Sequence, residues 1–293
     1  MSLVNPLYLI KQAQKKGIAI PAFNIHNMET VQGVIEAAVE EKSPVMIATT
    51  PGTLRHAGVS CIANIVKTIA TEVNIPVALH LDHCSSYGVI VQALRNGYTS
   101  VMIDAAELPY EGNVSLVKEV VKMAHAVGVA VEAEIGRIGG TEDDLSVDER
   151  EASLTIPAEA KDFMEATGID TLAIAIGTAH GMYQGEPKLD FNRLSAIKEL
   201  VEIPLVLHGA SGVSDDSVRE AIKRGISKVN IATELKIPLA RSIQKYFTDN
   251  PEGNDPRKYL GLGREAVKKV VKEKIRLCGS NNLSAILEEY KCY

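Results

Sequence analysis

PVALHLDH, Pro76 to His83, decides the reading of the fold. A proline opens it, which a first strand position tolerates. Val77, Ala78, Leu79 and Leu81 make the short apolar run expected of a strand buried on both faces. It closes on Asp82 and His83, groups that cost desolvation energy in a core unless they pair or bind something. Seven other runs repeat the pattern. They are AIPAFNI (Ala19 to Ile25), PVMIATT (Pro44 to Thr50), SVMIDA (Ser100 to Ala105), AVEAEIG (Ala130 to Gly136), TLAIAIG (Thr171 to Gly177), PLVLHGA (Pro204 to Ala210) and KVNIAT (Lys228 to Thr233).

The stretches between them carry helical periodicity. Met28 to Glu41 sets Val31, Ile35, Ala38 and Val39 on one stripe, and Asn113 to Val127 does the same with Val117, Val120, Val121 and Ala124. Gly97, Gly128, Gly168 and Gly225 supply helix stops. Eight βα units in succession predict an α/β fold, a closed (β/α)8 TIM barrel. The competing architecture, a doubly wound open sheet, usually has fewer strands and often a GxGxxG after the first; this chain has no such motif.

The segment after the eighth run, residues 234–293, is too long for one helix. A polar break at Asp249 to Pro256 and a helical run from Gly263 to Leu277 divide it into helix eight and a C-terminal helical extension. Residues 1–293 then form a single barrel domain, although 293 residues at ~150 per domain would fit two. Gly139 to Ala158, acidic and opening on two glycines, reads as a mobile loop.

Composition narrows the function. A net charge of −6 lacks the basic face of a general nucleic-acid binder. With no Trp and four Phe, the chain is poorly equipped to stack bases. Cys61, Cys84, Cys278 and Cys292 include no CxxC pair and read as reduced thiols of a cytoplasmic protein. The N-terminus lacks the features of a signal peptide, and no apolar run reaches the ~18 residues of a membrane span.

Active sites of such barrels lie at the C-terminal strand ends. Those ends carry Asn24, Thr49 and Thr50, Asp82 and His83, Asp104, Glu134, His180, His208, and Asn230 with Thr233. Three histidines converge from strands three, six and seven, as in a catalytic zinc site with an open fourth position. His80 reads as structural, and His26, His56 and His125 as ordinary polar residues. After His208, Gly209-Ala210-Ser211-Gly212 leads into a helix, as Asn230 to Thr233 does after strand eight. Loops in those two places form the usual phosphate site of a barrel. Lys228 reads as the start of strand eight, at the rim away from the site, which leaves no lysine placed for Schiff-base chemistry.

The motifs PAFNIHN (21–27), HLDH (80–83), SVMID (100–104), EAEIGRIGGTEDD (132–144), AIGTAHGMY (175–183), LHGASG (207–212), NIATELK (230–236) and DPRKYL (255–260) run through nearly the whole chain. Together they resemble the class II, zinc-dependent ketose-bisphosphate aldolases, and TPGT (50–53) with NIAT (230–233) is most similar to the tagatose-1,6-bisphosphate branch. One large fructose-1,6-bisphosphate branch has Asp where this chain has Ala232.

The resemblance implies His83, His180 and His208 as ligands of Zn²⁺, and Asp104 and Glu134 as a second metal position. It implies Asp82 as the acid/base at the aldehyde oxygen and Glu142 as the base at C3 of dihydroxyacetone phosphate. Gly181, Gly209, Ala210, Ser211, Asn230, Ile231, Ala232 and Thr233 match phosphate and dihydroxyacetone contacts, with Na⁺ or K⁺ nearby. Asn24 and Thr50 match substrate-positioning residues, and Arg257 one that reaches the second phosphate from a neighbouring subunit. A homodimer or homotetramer is implied, and for some tagatose enzymes a non-catalytic partner subunit. Two other readings stand beside this one: a zinc barrel hydrolase, and a non-catalytic barrel subunit.

Overall fold

The computed structural model describes residues 3–142, 145–147, 152–181, 183, 185 and 187–283. The chain begins with α1 (Leu7–Lys16), β1 (Ile20–Asn24), α2 (Met28–Glu40), β2 (Val45–Thr49), α3 (Pro51–Ala57) and α4 (Val59–Thr71). It continues with β3 (Val77–Cys84), α5 (Tyr87–Arg95), β4 (Ser100–Ile103), α6 (Tyr110–His125), β5 (Ala130–Ile135), β6 (Gly139–Glu142) and β7 (Leu145–Val147). Then come α7 (Pro157–Thr167), β8 (Thr171–Ile174), β9 (Ala179–His180), α8 (Phe191–Leu200), β10 (Leu205–Leu207), α9 (Asp215–Lys223), β11 (Ile226–Ile231), α10 (Thr233–Asp249) and α11 (Pro256–Cys278).

Eight of the strands close a parallel barrel in the order β1-β11-β10-β8-β5-β4-β3-β2. The expected (β/α)8 architecture is therefore the observed one. Its strands are buried along their length because helices cover the outside and side chains fill the inside. Local sequence supports six of the turns into a helix. Asn27 and Thr30 form a reciprocal capping box at α2, and Thr50, Ser86, Asp190, Ser214 and Asp255 each accept a backbone N–H at a helix start. Caps of this kind contribute about 1 kcal/mol each.

The barrel floor is closed by α1. Leu9, Ile10 and Ala13 pack on Ile20 and Ala22 of β1, Met46 of β2 and Ala78 of β3. The layer above is only partly apolar: beside Met102, Ala173 and Val206 lie the buried His80, Glu132 and Lys228. Lys228 is thus inside the barrel, not at the far rim. The eighth strand starts at Ile226, ahead of the run seen in the sequence, because polar Ser227 disguises its beginning. Lys228 is then the third residue of the strand and pairs with Val206 of the inner layer.

The helix that fills the eighth outer position is α11. It packs against α2, α9 and β1, burying Val267, Val271 and Ile275 at four-residue spacing. α10 precedes it, packs on α11 and buries only Leu235. The chain therefore makes an excursion through α10 before the last barrel helix is laid down. α11 begins at Pro256, earlier than the Gly263 expected from periodicity, since Asp255 caps it and proline suits a first helical turn.

The loop after β5 is in part a sheet: β6 pairs antiparallel with β7 and parallel with β9. No helix among the described residues is long and apolar enough to cross a membrane.

Candidate active site

Successive residues of a strand face opposite sides. Asp82 and His83 nevertheless both enter the site, and the backbone accounts for it. His83 has φ +43°, a left-handed conformation uncommon outside glycine, and the β3–β4 pairing shifts register between Leu81 and Cys84. The irregularity turns His83 back toward the barrel mouth.

His180 reaches the same place by another route. It is not on the sixth barrel strand, which ends at Ile174, but on β9 of the side sheet. Gly140 of β6 lies opposite His180 in that ladder. A Cβ there would collide with the backbone of His180, its nitrogen at 2.7 Å, so only glycine allows this approach. His208 follows β10 directly and is fully buried.

The three imidazoles converge. The His83 ring lies 4.6 Å from that of His180 and 4.5 Å from that of His208, edge to face, with His180 and His208 6.1 Å apart. Each offers a nitrogen, and these nitrogens lie within 4.8 Å of one another. His83 Nδ1 is 2.8 Å from Asp104 Oδ2, and His208 Nε2 is 2.9 Å from Glu132 Oε1. A carboxylate only accepts, so each ring's proton belongs on that outer nitrogen. The lone pairs of His83 Nε2 and His208 Nδ1 then face each other at 2.8 Å. Two facing lone pairs repel, and a cation held by both removes the repulsion. An imidazole set of this kind fits Zn²⁺.

A second group, His83, Asp104 and Glu134, also brings ligand atoms within 4.8 Å. These residues line a cavity of about 60 Å³ together with His180. Glu134 Oε1 accepts from Ile138 N at 3.2 Å, while its Oε2 is buried with no hydrogen-bond partner among the described residues. A cation there would satisfy that oxygen.

Asp82 is fully buried. Its Oδ2 accepts from Asn24 Nδ2 and its Oδ1 from Asn230 Nδ2, both at 2.9 Å. Asn230 Oδ1, also buried, has no partner among the described residues and is available to a ligand.

The environment separates the carboxyl groups. Burial opposes charge on Asp82, but the histidines around it, His83 foremost, and Lys228 hold it well below the usual range. Burial likewise opposes charge on Glu132, and Lys228 and His208 overcome it. For Asp104 the hydrogen bond with His83 outweighs burial. Glu134 goes the other way, pushed up to about 8 by burial and by the charge of Asp104. His208 is pushed down to about 4 by burial and by His83, which keeps it neutral and able to ligate.

The glycine-rich turn lies where expected. Gly209 has φ +64°, and a Cβ on it would meet Ala179 O at 2.5 Å. Tyr183 locks this contact: its hydroxyl accepts from Ala179 N at 2.6 Å and donates to Gly209 O at 2.8 Å. Ala210 and Ser211 follow, both buried, and Ser214 caps α9. Asn230 and Ile231 end β11, Ala232 sits at the N-cap of α10 without a capping side chain, and Thr233 opens the helix. Thr50 is buried at the N-cap of α3, and Gly181 follows β9 with φ +91°.

One expected site residue stands apart from this cluster, and the side chain of another is not described. Arg257 lies on α11, its side chain 88% exposed and paired with Asp255 at 3.0 Å through two nitrogens. Glu142 ends β6, and its side chain lies outside the described residues. Three residues enter that sequence reasoning did not place at the site: Glu132, Tyr183 and Lys228, the last of them expected at the far rim. Glu132 carried a signal, since it stands two positions before Glu134 and shares its strand face. Lys228 and Tyr183 owe their places to long-range packing.

A family model for class II fructose-bisphosphate aldolase matches residues 4–283. The crystal structure of the YdjI aldolase from Escherichia coli K12 is similar at 35% identity and TM-score 0.83, over 96% of this chain and 98% of that one. A fructose-1,6-bisphosphate aldolase structure from Coccidioides immitis, itself described as putative, is similar at 31% identity and TM-score 0.88, with the same coverage. Fructose-bisphosphate aldolase from Campylobacter jejuni, at 24% identity and TM-score 0.80 over 96% and 97% of the two chains, shares the fold. The hydrolase and non-catalytic readings fall with these matches. The chain belongs to the class II fructose-bisphosphate aldolase family and is an aldolase, a carbon–carbon lyase.

Proposed function

We propose that the protein is a zinc-dependent aldolase that reversibly cleaves D-tagatose 1,6-bisphosphate to dihydroxyacetone phosphate and D-glyceraldehyde 3-phosphate. The observation that carries the zinc reading is the pair of facing nitrogens on His83 and His208, each ring tied at its other nitrogen to a carboxylate. His83, His180 and His208 would hold the catalytic ion, and Asp104 and Glu134 a second position. When bound, zinc supplies Lewis-acid polarisation of a ketone oxygen.

The protein's own groups divide the remaining work. Asp82 takes the C4 hydroxyl proton as the C3–C4 bond breaks, and the electron pair of that bond passes to C3. Its two asparagine partners fix the carboxylate and leave lone pairs for the proton. Glu142, on β6 two residues after the glycine that abuts His180, returns a proton to C3. In the condensation direction the same two groups act in reverse. Backbone N–H groups of the turn Gly209 to Ser211 and of Asn230 to Thr233 at the start of α10 bind one phosphate, and Gly181, Asn24 and Thr50 position the sugar. Arg257 serves the second phosphate of a neighbouring subunit's substrate, which its exposure favours.

The small apolar Ala232 beside Asn230 supports the tagatose assignment. Fructose 1,6-bisphosphate is the second reading, favoured by the name of the matching family. We place the enzyme in the cytoplasm as a homodimer or homotetramer, with Na⁺ or K⁺ at the phosphate loops and, in the tagatose branch, a non-catalytic partner subunit. The free thiols Cys61, Cys84 and Cys278 suit that compartment.

The test is kcat/KM of the zinc-loaded protein for the two ketose bisphosphates, before and after chelation. We expect a higher value for tagatose 1,6-bisphosphate, abolished by chelator and restored by Zn²⁺. A higher value for the fructose compound reverses the substrate assignment, and activity indifferent to chelator removes the metal.

A further inference from the structure

The barrel interior beneath the three histidines is charged and closed to bulk solvent. Lys228 and Glu132 are fully buried, with Lys228 Nζ 2.8 Å from Glu132 Oε2 and 3.0 Å from Oε1. The same Nζ lies 3.4 Å from His80 Nε2. An ammonium has three N–H donors, and these three acceptors use them all. His80 Nε2 is then an acceptor, so its ring proton is on Nδ1, which meets Ser100 Oγ at 2.9 Å. His80, Asp82 and Glu132 bring ligand atoms close enough for a cation, but the lysine ammonium already binds two of the three.

Glu132 has a further contact, His208 Nε2 at 2.9 Å. With both oxygens facing the ammonium, the carboxyl group acts as an acceptor, so His208 must donate from Nε2. Asn230 gives the same answer independently. Its Nδ2 lies 3.3 Å from His208 Nδ1, and an amide N–H can only donate. Packing does not require charges here, because an apolar pair of similar volume is often at least as stable as a buried ion pair.

We propose that Lys228 and Glu132 are a buried positioning pair, which locks His208 as the Nε2–H tautomer and aims its Nδ1 at the metal site. Lys228 secures the carboxylate, and the carboxylate orients the imidazole. Partners of this kind behind a ligating histidine typically change metal affinity 10- to 100-fold. The proposal rests on the reading of His208 as a zinc ligand.

The experiment compares zinc affinity, by chelator competition, in three proteins. They are wild type, the apolar pair Glu132→Met/Lys228→Met, and Glu132→Gln/Lys228→Met, which keeps an acceptor for His208. Cobalt-loaded samples report ligand geometry through their visible absorption. We expect about a 10- to 100-fold weaker affinity and an altered cobalt spectrum in the apolar pair, with most of both restored in the variant that carries Glu132→Gln. A folded apolar pair with wild-type affinity and spectrum overturns the proposal. Should that pair fail to fold, ¹⁵N chemical shifts of His208 in the zinc-loaded wild type decide. A protonated Nε2 with metal-bound Nδ1 sustains it, and the reverse overturns it. A wild type that binds no zinc overturns the functional reading as well, whereas zinc-binding wild type beside an unaffected variant overturns this inference alone.

Discussion

Asn230 Nδ2 reaches from β11 to β3 and donates to Asp82 Oδ1 at 2.9 Å, opposite the hydrogen bond from Asn24 on the other oxygen. The carboxylate is held from both sides, as the proposed acid/base role at a substrate hydroxyl requires. Asp82→Asn keeps the shape and removes the base. We expect kcat to fall by about 10²- to 10⁴-fold with zinc content unchanged. Steady-state kinetics with metal analysis of the same sample checks both halves, and an undiminished kcat would reassign the proton transfer.

His208→Ala removes one of the two facing nitrogens. We expect the purified variant to hold less zinc than wild type after identical loading. Unchanged metal content would contradict the ligand assignment.

Glu134 gives the zinc-free protein a pH-dependent weakness. Its folded-state value of about 8 stands above the ordinary 4.5. Between those two pH values the folded state keeps a proton that the unfolded state has lost, so stability falls as pH rises and levels off above pH 8. Each unit is worth about 1.4 kcal/mol, so the effect is large enough to see. In chelator-treated samples, the advantage of Glu134→Gln over wild type in urea midpoint should grow from pH 5 to pH 8. A constant difference would mean that Glu134 is ionised in the fold.

Lys228 is inside the barrel, where a Schiff-base lysine would need to be, but both oxygens of Glu132 hold it. Borohydride reduction with substrate present should leave no covalent adduct by mass spectrometry. Lys228→Ala should cost about 3–5 kcal/mol, because it strands the carboxylate of Glu132. A smaller loss in chemical denaturation would show that water reaches the pair.

Gly140→Ala should act on the chemistry more than on the fold. The added methyl group displaces the backbone of His180, which belongs to the side sheet rather than the barrel wall. A shift of about 1 Å in a reacting constellation can cost 10²-fold in rate. We expect a retro-aldol rate lower by about that factor and a Tm close to wild type. The opposite pattern would make Gly140 a structural residue alone.

The barrel was legible because its signals are local. Each barrel strand is a short run rich in Val, Ile, Leu and Ala, and most helices carry their own apolar stripe, six of them with a capping side chain. The histidines, Asp82, Asp104 and Glu134 were legible because barrel strands end where sites begin. Geometry that depends on distant partners was not. His180 looks like a strand end but is carried by a two-residue strand that exists only because Gly140 lets β6 approach. Lys228 looks like a rim residue until Ser227 is recognised as already inside the strand. Glu132, in a run of alternating carboxylates, becomes intelligible only with Lys228 and His208 around it.

The placement of α11 bears on how the protein is made. The outer layer between α9 and α2 is filled by residues 256–278, after the detour through α10. Until that helix leaves the ribosome, β1 and α2 have one flank bare, and Gly33, against which Arg264 O packs, faces water. All eight barrel strands are therefore synthesised before the cylinder acquires its last wall. A nascent chain in that interval exposes apolar surface made early in translation, and a stop codon shortly before residue 256 leaves all eight barrel strands but bares the flank of β1 and α2 that α11 covers.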